Sequence, residues 1–433
     1  MKVAIIGAGI SGLTAAYYLN PRHQISVYES ADKIGGHTAT ADITHAGQNY
    51  AIDTGFIVYN DWTYPNFIKL LDDLRVDSQP TEMSFSVRSD DSGIEYGGSN
   101  LNTLFAQRRN IIKPSFHKMI SDILRFNREA VRDLDEGKLT EGTTLGEYLK
   151  SNRYSEAFIY QYVLPMGCAI WSASTDRMTD FPIRFFTEFF KNHGLLSVKN
   201  RPQWRVIKGG SRNYLAPLTE SFKDSIFVNS KVSHVRRRDG LVELVMDNGQ
   251  VLAYDQVIMA CHSDQALALL CNPTVEERSA LSTIPYQQND VVLHTDESLL
   301  PRSRRAWSSW NYLLRQRHQE RAVLSYDMNI LQGISSKATF CVTLNATDLI
   351  SPKKVIEKFS YSHPVFSLDS IDAAASLNQL NGMHNTWFAG AYLGNGFHED
   401  GVKSGLQVAE LINLLPKPEK QRNKTSTAAS AYA

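Results

Sequence analysis

The sequence predicts an α/β fold: a βαβ nucleotide-binding unit at the start, completed by strands that arrive much later, beside a lobe that mixes helices with sheet. Three observations carry this. A strand-like run, a glycine-rich turn and a helix-like run follow one another directly at the start of the chain. The stretch 106–190 is mainly helical in pattern. From residue 226 short β-type runs return, and two of them, 255–260 and 386–391, are apolar enough to be buried in a parallel sheet.

The opening is Lys2–Ile6, then Gly7-Ala8-Gly9-Ile10-Ser11-Gly12, then helical composition over 13–19. A Gly-x-Gly-x-x-Gly turn between strand and helix is the Rossmann-like arrangement. Its glycines serve the tight turn, the approach of a pyrophosphate to bare backbone, and the packing of helix on strand. The free N–H groups and positive dipole end of the helix face the phosphates. Residues 24–28 read as the second strand. Glu29, with Ser30 beside it, stands at its end, where a carboxylate accepts hydrogen bonds from ribose hydroxyls. An ordinary turn with chance glycines leaves Glu29 unexplained.

Lys33-Ile34-Gly35-Gly36-His37-Thr38 and Ile52-Asp53-Thr54-Gly55-Phe56 lie just beyond. A flavin dinucleotide is longer than NAD, and a second bare-backbone segment at Gly35-Gly36 lets its far end run close to the chain. FAD is therefore the expected dinucleotide.

Further on, 65–74 reads as an amphipathic helix opened by Pro65, and 83–87 with 93–96 as a strand pair. The longest helix is 114–134, with Phe116, Met119, Ile120, Ile123, Leu124, Val131 and Leu134 on one side. Thr144 caps a helix through Leu149, and 155–164 forms another. A strand at 205–207 precedes Gly209-Gly210 and a helix over 213–222. Strands are expected at 228–235, 241–246 and 251–253, with turns at Asp239-Gly240 and Asp247-Asn248-Gly249. Strands 290–295, 322–326 and 339–344 supply the sheet of the second lobe, and a final helix opens at His398. This assigns 1–75, 203–270 and 376–415 to a discontinuous nucleotide domain and 76–202 with 271–375 to a substrate domain. The tail 416–433 lacks apolar periodicity and reads as disordered.

Lys plus Arg and Asp plus Glu number 45 each, so the formal charge is zero and bulk attraction to nucleic acid is not expected. Cys168, Cys261, Cys271 and Cys341 are far apart and suit reduced thiols of a cytoplasmic protein. No run of eighteen apolar residues would span a membrane, and residues 3–19 lack the flanks of a signal peptide. Histidines and cysteines show no metal-ligand spacing, so no metal is expected.

The glycine fingerprint, the Gly-Gly doublet, the Asp-x-Gly turn and Phe388-Ala389-Gly390 before the last helix resemble the flavin-containing amine oxidase superfamily, from residue 1 to about 415. That resemblance implies FAD, held non-covalently because no cysteine precedes the C-terminal motif. It implies that the backbone of Val232 meets the adenine, and that Gly390, Ala391, His398, Gly401 and Val402 serve the flavin end. N–H groups at that helix start can stabilise negative charge on a reduced flavin.

Within the superfamily, four blocks are similar to predicted FAD-dependent oxidoreductases often encoded beside cyclopropane-fatty-acyl synthases. They are Gly35-Gly36-His37-Thr38, Asp53-Thr54-Gly55-Phe56-Ile57-Val58-Tyr59-Asn60, Ser309-Trp310-Asn311-Tyr312 and Gly396-Phe397-His398-Glu399-Asp400-Gly401. This implies hydride transfer from an apolar small molecule, a fatty-acyl or lipid substrate, to flavin N5. The alternatives are an amine or amino-acid oxidase and a flavin-bearing accessory subunit of a lipid-modifying methyltransferase. The stretch Gln288-Asn289-Asp290-Val291-Val292-Leu293-His294 lacks the lysine that amine oxidases commonly place near N5, and Ala391-Tyr392 replaces the usual acid.

On a strand Asp290, Val292 and His294 share a face, which makes Asp290 and His294 candidates for proton transfer beside the bland reading of structural hydrogen bonding. His398 is a third catalytic candidate and, with His37, a flavin-contact candidate. For Glu399 and Asp400 the simple reading is stabilisation of their own helix start. Trp171, Trp310, Tyr312, Tyr361 and Phe397 are candidate pocket walls. Arg302-Ser303-Arg304-Arg305 and Arg315-Gln316-Arg317-His318 read as solvated loops, with peripheral contact to anionic lipid headgroups as the sharper reading.

Overall fold

The structure is a computed structural model that describes residues 1–140, 142–238 and 240–416. Lys2–Ile6 is the central strand of a five-stranded parallel sheet ordered Ile226–Phe227, Gln24–Tyr28, Lys2–Ile6, Gln256–Met259, Thr386–Phe388. Val3 pairs with Ile25 on one side and Gln256 on the other. Both faces are covered, so these strands are near-continuous apolar runs rather than alternating ones. Ile10–Leu19 and the last helix, His398–Leu414, pack against one face through Leu13, Val402 and Val408. Two glycines set their closeness. A Cβ on Gly405 would lie 2.2 Å from the carbonyl oxygen of Ser11, and one on Gly401 2.7 Å from Ile10 Cγ2. The other face meets the antiparallel sheet Val232–Arg238, Leu241–Met246, Val251–Tyr254.

The second lobe is built on a seven-stranded sheet ordered Val355–Pro364, Tyr286–His294, Cys341–Leu344, Leu324–Asp327, Trp310–Leu314, Phe85–Ser89, Glu95–Gly97. Helices cover one face, where Phe116, Phe126, Phe158 and Phe186 pack with Tyr312 and Leu324. The hairpin Thr40–His45/Gln48–Asp53 meets the other through Ile43, Ile52, Leu293 and Phe340.

Local chemistry explains the elements. Pro114 opens the helix Pro114–Asp135, and Thr144 and Glu147 form a reciprocal capping box for Leu145–Ser151. The helix expected at 155–164 is broken. Glu156–Phe158 passes through a π-turn at Ile159–Val163 into Leu164–Trp171. Pro165 has no N–H to give the carbonyl of Gln161, and the Tyr96 hydroxyl bonds that carbonyl instead at 2.7 Å. Similarly, Pro217 falls inside the expected helix 213–222, which becomes the short turns Ser211–Tyr214, Leu215–Thr219 and Glu220–Ser225. The strand expected at 228–235 starts only at Val232, after Asn229 turns left-handed with φ 49°. The tail reading at 416–433, apart from Pro416, and Asp239 of the expected turn lie outside the described residues.

Candidate active site

A cavity of about 1300 Å³ is bounded by both large sheets. One end of it is the glycine turn. Gly7, with φ +107°, leaves no room for a side chain, since a Cβ would sit 2.4 Å from the carbonyl oxygen of Ala260. A Cβ on Gly12 would sit 2.1 Å from that of Gly7. A Cβ on Gly9, by contrast, would meet nothing within 4 Å beyond its chain neighbours. Gly9 thus presents bare backbone to the cavity, next to Ile10 and Ser11 at the open start of the first helix. Ala8 and Gly12 are not on the lining. The N–H of Ala8 donates to the Glu29 carboxylate at 2.9 Å, and that of Ala31 does the same at 2.9 Å. Both bonds aim Glu29, which lines the cavity with Ser30, and a carboxylate held this way keeps acceptor capacity for ribose hydroxyls. Val232 lines the same end.

Gly35 and Gly36 follow the wall, the Gly35 N–H donating to the carbonyl of Ala8 at 2.8 Å. Gly55 abuts His37, whose carbonyl accepts the N–H of Phe56 at 2.7 Å. Beneath this loop the buried Asp53 carboxylate accepts from Thr40 Oγ1 at 2.6 Å and from the Ser211 N–H at 2.8 Å. Burial pushes Asp53 up to about 6, against those hydrogen bonds. One carboxylate therefore ties the Asp-x-Gly turn to the second glycine pair. Thr38 is buried behind the lining, hydrogen-bonded to the hydroxyl of Tyr214.

From the far end of the chain, Gly390, Ala391, Phe397 and His398 reach the same cavity. His398 stacks on Phe56, its Nε2 3.0 Å from the Tyr214 hydroxyl, and burial pulls its pKa down to about 3. Gly401 and Val402 face the first helix instead. Asp400 accepts the Phe397 N–H at 2.9 Å and so caps its own helix. Glu399 does not serve its own helix start: it accepts the N–H groups of Asn66 at 3.0 Å and Phe67 at 2.9 Å, capping the neighbouring helix Pro65–Asp73.

Three imidazoles meet where the lobes join. His37 lies 6.2 Å from His262 and 5.6 Å from His363, ring centre to ring centre. Burial lowers all three, His37 to about 3 and His363 to about 4, so they are neutral. His37 Nε2 is buried with no protein partner. Among the described residues no group of His, Cys, Asp or Glu side chains is arranged to hold a metal.

Trp171 and Trp310 line the cavity. Tyr312 does not: it is buried in the helical core against Cys168. Tyr361 stands off the lining, its hydroxyl 2.9 Å from Thr54 Oγ1 and its ring 5.3 Å from His37. Asp290 and His294 are also off the cavity, which removes them from proton transfer there. Asp290 is exposed, whereas His294 is fully buried, its Nε2 2.7 Å from Thr343 Oγ1 and its Nδ1 accepting the Asp296 N–H at 2.9 Å. The strand is covered from Val291 onward, so two residues on one face of it meet different surroundings. Sequence reasoning missed His262, His363, Tyr286 and Tyr214. His262 had a signal, for it sits just past the carboxyl end of an apolar parallel strand, as Glu29 does.

A bare backbone at Gly9, an aimed carboxylate at Glu29 and an orphaned imidazole nitrogen at His37 fit a bound dinucleotide that continues toward the last helix. Fold and site define an FAD-dependent oxidoreductase. The chain belongs to the family described as flavin containing amine oxidoreductase, whose model matches residues 10–320. Similar solved structures include cyclohexylamine oxidase from Brevibacterium oxydans IH-35A, at 15% identity and TM-score 0.70, covering 95% of this chain and 98% of that one. The CLA-producing fatty acid isomerase from P. acnes has 16% identity, TM-score 0.67 and coverage of 95% and 97%. Putrescine oxidase bound to putrescine has 15% identity, TM-score 0.63 and coverage of 95% and 99%. No curated protein matches the chain by sequence.

Proposed function

We propose that this oxidoreductase takes hydride from an apolar substrate, a fatty-acyl or other lipid chain, as a desaturase or oxidase. One observation carries the reading: where charge lies on the cavity wall. Among the described residues the wall holds the charged side chains Glu29 and Lys231 at the adenine end, and Glu82 and Arg201, which are exposed. The rest of the wall bears no formal charge: it includes Ile120, Ile123, Met166, Ile170, Trp171 and Phe189, beside the uncharged polar side chains of Asn127, Tyr162, Ser172 and His193. An ammonium or amino-acid carboxylate would be desolvated there without a counter-charge, whereas an acyl chain would not. The indole N–H groups of Trp171 and Trp310 are buried without an acceptor, and an acyl carbonyl satisfies such a donor.

A bound flavin supplies the two-electron acceptor. The chain supplies orientation and electrostatics. Neutral His398 brings no positive charge, so the backbone N–H groups at the start of the last helix are left to stabilise charge that develops on reduction.

The test is anaerobic mixing of the yellow protein with dispersed acyl lipids, which bleaches the flavin absorbance on this reading. Bleaching by amines and by no acyl lipid transfers the assignment to amine oxidation. Bleaching by acyl lipid only when a lipid-modifying methyltransferase is added transfers it to an accessory subunit.

A further inference from the structure

We propose that the mouth of this cavity docks on an anionic membrane surface, from which the lipid enters. The inference rests on the lipid reading for its purpose and on the rim of the cavity for its evidence. The chain as a whole is neutral, yet residues 96–121 contain no Asp or Glu and carry Arg108, Arg109, Lys113 and Lys118. The same segment is apolar where it is exposed: Ile112 is 84% accessible, Leu101 74% and Ile111 50%. It is also the wall of the cavity, through Leu104 and then Ile123 and Leu124 of the following helix.

A second segment that contributes to the cavity lining, residues 189–201, again contains no acid. Here Val198, 67% accessible, and Arg201 both line the cavity, with Lys199 between them in sequence. Lys118 is paired with Asp122 at 3.0 Å. Among the described residues Arg108, Arg109, Lys113, Lys199 and Arg201 have no carboxylate partner. Arg108, Arg109 and Arg201 are held by the carbonyls of Phe105, Gly93 and Ser197, which leaves their charge uncompensated, and such cations interleaved with projecting aliphatic tips are what an anionic headgroup layer over acyl chains complements. A nucleic acid would leave the aliphatic tips unsatisfied. The arginine runs singled out in the sequence differ, because Arg304 is paired with Glu297 at 3.0 Å, Arg317 with Glu156 at 2.6 Å and His318 with Asp176 at 2.9 Å, and among the described residues no large apolar side chain is exposed within either run to stand beside Arg305 or Arg315.

The experiment is co-sedimentation of the full, flavin-loaded chain with phosphatidylcholine vesicles, with and without phosphatidylglycerol. Binding to the anionic vesicles at least about tenfold above the neutral ones, reversed by salt, is expected. Ile112→Asp and Arg109→Glu, each retaining yellow colour, lose about tenfold in that binding, and Arg304→Glu loses none. Equal partition to both vesicle types, no binding to either, or wild-type binding by both rim variants overturns the proposal; so does an equal loss in Arg304→Glu. Capture of a protein in place of vesicles does so as well. Flavin bleaching by detergent-dispersed acyl lipid is read in parallel and does not need the rim. Bleaching without vesicle binding removes the docking and leaves the substrate reading, and vesicle binding without bleaching does the reverse.

Discussion

The imidazole of His398 lies flat on the ring of Phe56, with ring centres 3.7 Å apart and planes 8° from parallel. One residue follows the Asp-x-Gly turn near the start of the chain, and the other opens its last described helix. Their contact fastens the final segment to the first on the wall of the cavity. Stacking and the Tyr214 hydroxyl hold the ring, and charge takes no part, because burial keeps it neutral.

His398→Ala removes both attachments and costs about 3 kcal/mol in denaturant unfolding, as loss of a buried ring does. His398→Phe keeps the stack and loses only the hydrogen bond, about 1 kcal/mol. Equal losses in the two variants would remove the stack from the account.

Gly9→Ala and Gly12→Ala separate ligand from fold. The new methyl at residue 9 enters open cavity, so the protein folds with an unchanged apo Tm but purifies colourless. At residue 12 the methyl meets the carbonyl of Gly7, and the soluble yield itself collapses. A fully flavinylated Gly9→Ala protein would falsify the cradle.

Glu29→Gln retains the size of the side chain and loses charge-assisted acceptance of the Ala8 and Ala31 N–H groups and of the ribose. FAD release measured by fluorescence strengthens by about tenfold in Kd, and Glu29→Ala by about a hundredfold, from about 1.5–3 kcal/mol per hydrogen bond to a charged group. An unchanged Kd in both places the adenosine elsewhere.

His294 makes the stability of the protein depend on pH. Burial lowers it to about 4 in the folded chain, against about 6.5 unfolded. Below about pH 6.5 the unfolded chain takes up a proton that the folded one refuses. The stability is therefore complete above that pH and is lost on acidification toward the folded value, by about 1.4 kcal/mol per pH unit. Asp53, raised to about 6, acts in the opposite direction in the same window. Urea titrations from pH 7 to 4.5 should show a shallower acid loss in His294→Gln. Identical slopes would mean that His294 is protonated in the native state.

The glycine turn and the placing of Glu29 were legible in the sequence because their cause is local: Gly7, Gly9, Gly12 and Glu29 belong to one short βαβ unit whose spacing is set by backbone geometry. The substrate side was not. Val355–Pro364, which carries His363, shows little alternation because it is an edge strand with one neighbour and mostly half-buried residues. The strand of Tyr312, Trp310–Leu314, was not expected at all, whereas Asp290 and His294 failed for the opposite reason. Their strand was expected, but which face meets a cavity depends on what packs over the sheet, and strand periodicity is silent on that. The helix 114–135 shows the same limit, since its apolar side splits into a core edge at Phe116 and Met119 and a cavity edge at Ile123 and Leu124.

The sheet centred on Lys2–Ile6 receives its edge strand from Thr386–Phe388, and the first helix receives its neighbour from His398–Leu414. During synthesis the glycine turn therefore emerges long before anything can close over it. A ribosome that stalls short of residue 386 releases a chain with an exposed sheet edge and an uncovered apolar helix, a species prone to aggregation and fit for proteolysis. Closure of the cavity therefore waits on the last described helix: a chain that stops before it lacks the wall supplied by Gly390, Phe397 and His398.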